Sequence, residues 1–591
     1  MKKPLTDEDL LKRAAIDGRV SFAMAAFVLG AGLVALLDRV GVPQRIVQLL
    51  GPILTLSGLA LIGLLLHSVK VSRFYAAGRA VPAPYAGLAT VAFATALCIP
   101  YLPPVDGGIP LKGLLIGFAA GLLAVALLIG PLLRKTGAFS LPDLIAGRFP
   151  QTIVRLGAIA VVGAAALLVA LAGYEASIKA LAYSLGADRL PAAILVAFVL
   201  ILMIVPGGMA GLIWAATGSA GVFIAASCLP LAAILLGGDL LPAPVMGDPA
   251  GWAKSMARIG EWQRSEEWQY GSGIVIAALA TGIACLAPLL SPAISAGDSH
   301  AARRAGLSAI FWGLVIGVIV LITMAVSVTV LDEYLIGERL EALPSFVYAA
   351  SGAGLLRICG AYVATPDQVA TACHATVGFS GEVLRAVDFT PQGLWLLLGM
   401  PELYGYSVAF SGLAAAGIVS VSLVLASAGF QSFGTAVGHD GFYRVRDSPA
   451  LTSRRLAMTR IVMIAAILAS GAFLAHRSVD GRLLIGLAIL LSTASIAPLL
   501  ALALWPRASG SDAAIALLTG LVTAGAVIAF RGGDADIQTL SLAALVAAIT
   551  GLVAGVGVSF LHSGGLATEG STFVHGLMHG GADMLNRDKG A

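Results

Sequence analysis

Residues Gly113 to Leu133 read GLLIGFAAGLLAVALLIGPLL, a run without a single charge. As a helix rising about 1.5 Å per residue, it is about 30 Å long, the thickness of a bilayer's hydrocarbon core. The pattern recurs along the whole chain. Further candidate spans are Val20–Leu37, Ile46–Leu66, Pro84–Leu102, Arg155–Leu185, Pro191–Val205, Gly211–Leu236, Gly271–Leu290, Gly306–Leu331, Tyr404–Phe433, Met458–Ala475, Leu483–Leu504, Ala513–Phe530 and Leu540–Leu561. The sequence therefore predicts an all-α polytopic membrane protein of about 14 transmembrane helices. The first run follows the acidic Asp7-Glu8-Asp9 and a second span comes soon after, which predicts a retained helix and not a cleaved signal.

Composition supports this reading. Of 591 residues, 12% are charged and 58% hydrophobic. A soluble domain carries about 25% charged residues, so an ordinary soluble enzyme is excluded, and disorder needs the opposite bias. The net charge of +4 is scattered, which excludes a nucleic-acid footprint. The 71 glycines let helix backbones approach closely. A β-barrel would alternate apolar and polar residues over segments of about ten, and no such alternation is seen. With the N-terminus in the cytoplasm and alternating spans, cytoplasmic segments hold 22 of the 36 Lys and Arg and outer segments hold 13, with Lys179 inside a helix. The excess predicts both termini on the cytoplasmic side.

Seven stretches are more specific than composition. They are Tyr75-Ala-Ala-Gly-Arg79-Ala-Val-Pro82, the run from Leu133 through Ser140 and Arg148 to Phe149, Pro206-Gly-Gly-Met209 with Trp214, and Ala301-Ala-Arg303-Arg304. Pro401-Glu402 leading into Ser411 to Gly417, His439-Asp440-Gly-Phe-Tyr443 and Trp505-Pro-Arg507 complete the set. In this order they resemble the sodium:solute symporter family, in the large bacterial branch near the acetate and monocarboxylate permeases, over about residues 18 to 530. The resemblance implies a LeuT-like core of two inverted five-helix repeats, about 84–236 and 271–504, within a ten-helix core at 67–505. Two helices would precede it in 1–66, two would follow in 506–562, and 563–591 would be a cytoplasmic tail. It also implies a secondary transporter of a small organic solute in the bacterial inner membrane, often with a small companion membrane subunit. Such proteins hold solute and Na⁺ at the midplane, where broken helices expose backbone carbonyls. The first core span fits a break, because Thr90, Thr95, Cys98 and Pro100 interrupt its small-residue run. Thr90, Thr95, Trp214 and Gln431 are the expected solute-binding residues.

The coupling site departs from the family. Where this branch carries Ala-Thr-Ala-Ala-Asp, the chain reads Ala89-Thr-Val-Ala-Phe93, and Leu-Ser-Thr-Ala-Asp has become Leu423-Val424-Leu425-Ala426-Ser427. The carboxylate is replaced by Phe93 and the hydroxyl pair by Val424 and Leu425. On the solute side, Leu286-Ala287-Pro288 and Pro292 stand where the family has Leu-Pro-His and an Arg. Each missing polar ligand costs a buried cation several kcal/mol, by analogy with unpaired polar burial. The expectation is that ordinary Na⁺ coupling is lost at this site, leaving H⁺ or no ion. The open alternative is that carbonyls of Ala89, Ala92 and Val421 suffice. No cofactor beyond a coupling ion is expected.

Other polar residues carry paired readings. Glu175 and Lys179 lie four apart on one helix face, Glu first, the favourable order. They are either an interfacial pair or a proton- or carboxylate-handling pair. Ser420, Ser422, Ser427, Gln431, Ser432 and Thr435 predict either helix–helix hydrogen bonds or a new polar pocket. Cys98, Cys228 and Cys285 fall in spans, whereas Cys359 and Cys373 share a long outer segment where a disulfide is allowed. His562, His575 and His579 read as a solvated tail, and Trp252, Trp262 and Trp268 as an interfacial amphipathic stretch. Gly117–Gly121 and Gly551–Gly555 read as helix packing. No phosphate-binding loop appears. The partners expected are the bilayer and a small organic solute, with no nucleic acid. The competing class is a transport-inactive solute sensor or accessory membrane subunit on the same scaffold.

Overall fold

In hydrocarbon every backbone N–H and C=O must be satisfied within its own segment, so the apolar runs fold as helices. The computed structural model describes residues 7–102, 111–236, 253–257, 260, 270–340, 343–375, 383–385, 388–444, 452–533, 535–561 and 573–577. Among these, 12 helices are long and apolar enough to span a membrane, a bent pair makes a thirteenth, and the shorter apolar helix Arg189–Ile204 a fourteenth. In chain order they are α1 (Arg13–Arg39), α2 (Gln44–Leu65), α3 (Ala83–Tyr101), α4 (Gly113–Thr136), α5 (Thr152–Leu185), α6 (Arg189–Ile204) and α7 (Gly208–Leu229). Then come α8 (Gly273–Cys285 with Ala287–Ser295), α9 (Ser299–Tyr334), α10 (Val408–Phe442), α11 (Ser453–His476), α12 (Gly481–Ala503), α13 (Gly510–Phe530) and α14 (Ile537–Leu561). The all-α class and the helix number agree with the sequence. The largest boundary shift is at α10, expected over Tyr404–Phe433, because a π-helical stretch, Thr435–Arg444, carries it further.

The expected break in the first core span is not there. Ala83–Cys98 is one uninterrupted α-helix that tightens to a 3₁₀ turn over Ile99–Tyr101. Thr90 turns its hydroxyl onto the Ala86 carbonyl at 2.9 Å, a bond within the helix. Pro100 falls in the closing 3₁₀ turn, beyond the helix interior that a proline would disrupt. The corresponding helix of the second half does break. The two segments of α8 meet at 44°, with Leu286 extended between them and Pro288 in the first turn of the second.

Packing follows the glycines. A Cβ on Gly117 or Gly121 would stand 2.9 Å from Leu279 Cβ or 2.7 Å from Ile283 Cβ, so α4 lies directly on α8. Gly551 faces the Ala516 carbonyl of α13 at 2.8 Å, and Gly555 faces Leu502 of α12 at the same distance. Both glycine pairs therefore pack helices, as their spacing predicts.

Arginines at one end of the bundle cap helix ends. Arg134 donates to the carbonyls of Ala296 and Gly297 at 2.7 and 2.6 Å, just past the end of α8. Arg148 reaches Ala503, Trp505 and Ala508 at the end of α12. Arg460 reaches Val205 at the end of α6. Cations on the last carbonyls satisfy orphan acceptors and the helix dipole together.

At the other end, called outer below on the charge asymmetry, a ribbon pairs β1 (Leu356–Ile358) with β2 (Phe389–Pro391), setting Arg357 opposite Thr390. Cys359 and Cys373 form a disulfide beside it, across a sequence separation of 14. A loop of that length contributes about 3 kcal/mol by chain closure. Reduction, or Cys373→Ser, is expected to expose the outer segment to limited proteolysis while the helical bundle stays intact. Cys98, Cys228 and Cys285 are free. Trp252, Trp262, Trp268, His562 and His579 lie outside the described residues.

Candidate functional site

On α5 the residues Ala172, Glu175, Ala176 and Lys179 recur at helical spacing and form one stripe. At the outer end this stripe faces Ile99 and Pro100 from the end of α3, Arg357 on β1, Gln392, and the Ser478–Arg482 turn between α11 and α12. Together they enclose a cavity of about 360 Å³, within the usual range for a small-molecule site.

Glu175 is buried in the wall, 2% exposed. Arg189, at the first residue of α6, grips both carboxylate oxygens at 3.1 and 2.6 Å. Ser478 donates to one oxygen at 2.9 Å, and Lys179 Nζ stands 3.6 Å away. Arg189 also reaches the Leu474 carbonyl at 2.8 Å. A guanidinium donates only, so its two bonds to Glu175 fasten α6 to α5, and Ser478 ties the start of the α11–α12 turn to the same carboxylate.

The cavity wall carries Lys179, Arg357 and Arg482 against Glu175 and Asp480. Glu175 is already matched by Arg189. Asp480 is used locally, accepting from the Arg482 backbone N–H at 2.9 Å and pairing with its guanidinium at 3.5 Å. Lys179 Nζ also lies 3.4 Å from Gln392 Oε1. Arg357 lies over the Tyr362 ring at 5.0 Å, and among the described residues no carboxylate pairs with it. The cavity is therefore net positive. Sequence reading missed Arg357, Gln392 and Arg482 because they sit on a ribbon, in a loop and in the first turn of a helix, where no periodicity marks them. Only the tertiary fold brings them opposite Lys179.

The midplane is filled. Ala89, Ala92, Phe93, Val421, Val424 and Leu425 are all buried in one hydrophobic cluster. Ala89 and Ala92 lie inside unbroken helix, and so does Val421. Their carbonyls are thus engaged by the N–H groups four residues on. The alternative that these carbonyls serve a cation finds no freed carbonyl at those positions.

The expected solute residues do not converge. Thr90 is bonded back to its own helix. Thr95 lines an apolar groove between α3, α4 and α9 with Cys98 and Phe118. Trp214 lies against the Tyr85 ring at 5.3 Å, and the Tyr85 hydroxyl donates to Asp17 at 2.5 Å. Both contacts are at the end of the bundle opposite the outer cavity. Gln431 is fully buried, and among the described residues neither amide atom has a hydrogen-bond partner. Ser420, Ser427 and Thr435 bond carbonyls of their own helix, a correction to the expected interhelical bonds.

A buried polar cluster ties the end opposite the outer cavity. His439 Nδ1 lies 2.7 Å from Asp440 Oδ1, and Ser140 donates to Asp440 Oδ2 at 2.5 Å. Arg455 contacts the other ring nitrogen of His439, and the Tyr75 hydroxyl lies 2.7 Å from that of Thr459. The motif residues Tyr75, Ser140, His439 and Asp440 thus join one network.

The fold and the site together define a class: an all-α membrane bundle whose core is LeuT-like, two inverted five-helix repeats. A solved structure of a Na⁺-coupled sialic acid symporter, substrate-bound and outward-open, superimposes with a TM-score of 0.62 at 14% identity, over 88% of this chain and 98% of that one. Mhp1, a nucleobase-cation-symport-1 family transporter in a closed conformation, superimposes at 0.46 and 14% identity, over 86% of this chain and 99% of its own. In sequence, 140 residues are 28% identical to an uncharacterized symporter of Cupriavidus necator, covering 24% of this chain and 20% of that protein. No family model matches.

Proposed function

We propose that the protein is a secondary transporter of a small organic anion, a monocarboxylate by the resemblance, working by alternating access. The observation that carries this reading is the outer cavity of about 360 Å³ with Lys179, Arg357 and Arg482 in its wall. A cavity whose wall is net positive concentrates anionic solutes. Its placement would be the bacterial inner membrane, both termini cytoplasmic, with or without a small companion subunit. Na⁺ is not held at Phe93, Val424 and Leu425 on this reading, so coupling is to H⁺ or absent.

The test is uptake of labelled acetate, lactate and pyruvate into proteoliposomes under imposed Na⁺ or pH gradients. Uptake that follows pH and ignores Na⁺ is the expected result, and a strict Na⁺ requirement would overturn the coupling inference. Arg357→Ala is expected to raise KM about tenfold, the worth of one charge-assisted hydrogen bond, with kcat little changed. The unbroken α3 favours one second reading, a transport-inactive sensor or accessory subunit. That reading predicts calorimetric binding of the same carboxylates without uptake.

A further inference from the structure

Glu402 is a second carboxylate at the outer end, and its surroundings differ in kind from those of Glu175. It lies in the short helix Met400–Leu403, which precedes α10. Tyr183 of α5 donates its hydroxyl to one carboxylate oxygen. Gln48 Nε2 of α2 donates to the other at 3.3 Å, and the Ser411 hydroxyl of α10 bonds to it as well. Among the described residues every partner of Glu402 is neutral.

The charged groups on the neighbouring elements are Asp332 and Glu333, Lys179 and Arg45. α9 ends with Asp332 and Glu333, and Glu333 pairs with Lys254 at 2.6 Å. On α5, Lys179 is directed to Glu175 and Gln392. On α2 the cation is Arg45, three residues before Gln48. Tyr404 and Tyr406, which follow Glu402, stack on each other at 5.7 Å.

The chemistry of the partners separates the two carboxylates. Arg189 can only donate, so a proton added to Glu175 would lose an ion pair and leave a donor unmatched. Hydroxyls and a primary amide both donate and accept. Tyr183, Ser411 and Gln48 can therefore rotate to accept from a protonated Glu402, and no hydrogen bond is forfeited. We propose that Glu402 is a proton-binding site of the outer end, taking up and releasing a proton. Burial pushes its carboxyl above the ordinary glutamate range, against the hydrogen bonds from Tyr183 and Ser411 that pull it down. The folded state then binds this proton where the unfolded chain does not. Stability accordingly rises as pH falls through the interval above the ordinary value, and declines as pH rises through it. The short helix follows directly on Gly393–Leu398, whose first residues Gly393 and Leu394 lie in the cavity wall.

The inference goes beyond the transport reading, and its test needs no solute. Infrared titration of the protein in nanodiscs follows the protonated-carboxyl band against pH. The expected result is a band with its midpoint above the ordinary glutamate value, absent in Glu402→Gln and retained in Glu175→Gln. Tyr183→Phe removes a donor to the anion and is expected to move the midpoint higher, which keeps the test decisive if Glu402→Gln fails to fold. A band that survives in Glu402→Gln, or a midpoint that ignores Tyr183→Phe, overturns the proposal.

Discussion

Gly429→Val is expected to abolish recovery of a monodisperse protein in detergent, read as loss of the main peak in size-exclusion chromatography. Gly429 of α10 lies against α5 so closely that a Cβ would stand 2.6 Å from the Ala166 carbonyl and from the Ala170 nitrogen. The partner atoms are backbone, so no side chain can swing aside. From the other side, a Cβ on Gly173 would stand 2.6 Å from the Ala426 nitrogen. The two glycines set one antiparallel contact, and separating the helices would open a void along its length. Overpacking a well-filled interior costs about 1–3 kcal/mol where side chains can yield, and more where only backbone is available to move. Gly525→Ala is the control, since nothing lies within 4 Å of that position. It should elute as the parent does.

Arg189→Ala is expected to lower stability by about 3 kcal/mol, near the lower end for breaking a buried pair because Arg189 is partly exposed. The loss arises mostly from Glu175, which would keep only Lys179 at 3.6 Å and Ser478 at 2.9 Å. If so, Glu175→Gln on top of Arg189→Ala should restore part of the loss, because it removes the stranded charge. A thermal-unfolding double-mutant cycle reads this directly. Additive losses would show that Arg189 acts through the Leu474 carbonyl instead.

Much of the architecture was legible because it depends on one-dimensional quantities. Run length against bilayer thickness fixes the spans, and Arg and Lys placement fixes a face. Arg134, Arg148 and Arg460, counted as topology signals, proved also to cap helix ends, a role set by distance to carbonyls far along the chain. The break expected in α3 was not legible, because Thr90 and Pro100 are compatible with a continuous helix when one bonds backward and the other falls past the helix end. Gln431 was singled out as a polar outlier, and its unpartnered burial is visible only in three dimensions.

The sequence by itself determined the all-α membrane class, the helix number and the loss of polar side chains at Phe93, Val424 and Leu425. These follow from residue type and local period. Only the tertiary structure decided that Arg357 and Arg482 face Lys179, that Arg189 claims Glu175, and that Glu402 meets neutral groups alone among the described residues. Such electrostatic pairings join residues up to 354 positions apart, as Gln48 and Glu402 are. No local pattern encodes which charges meet across a folded bundle.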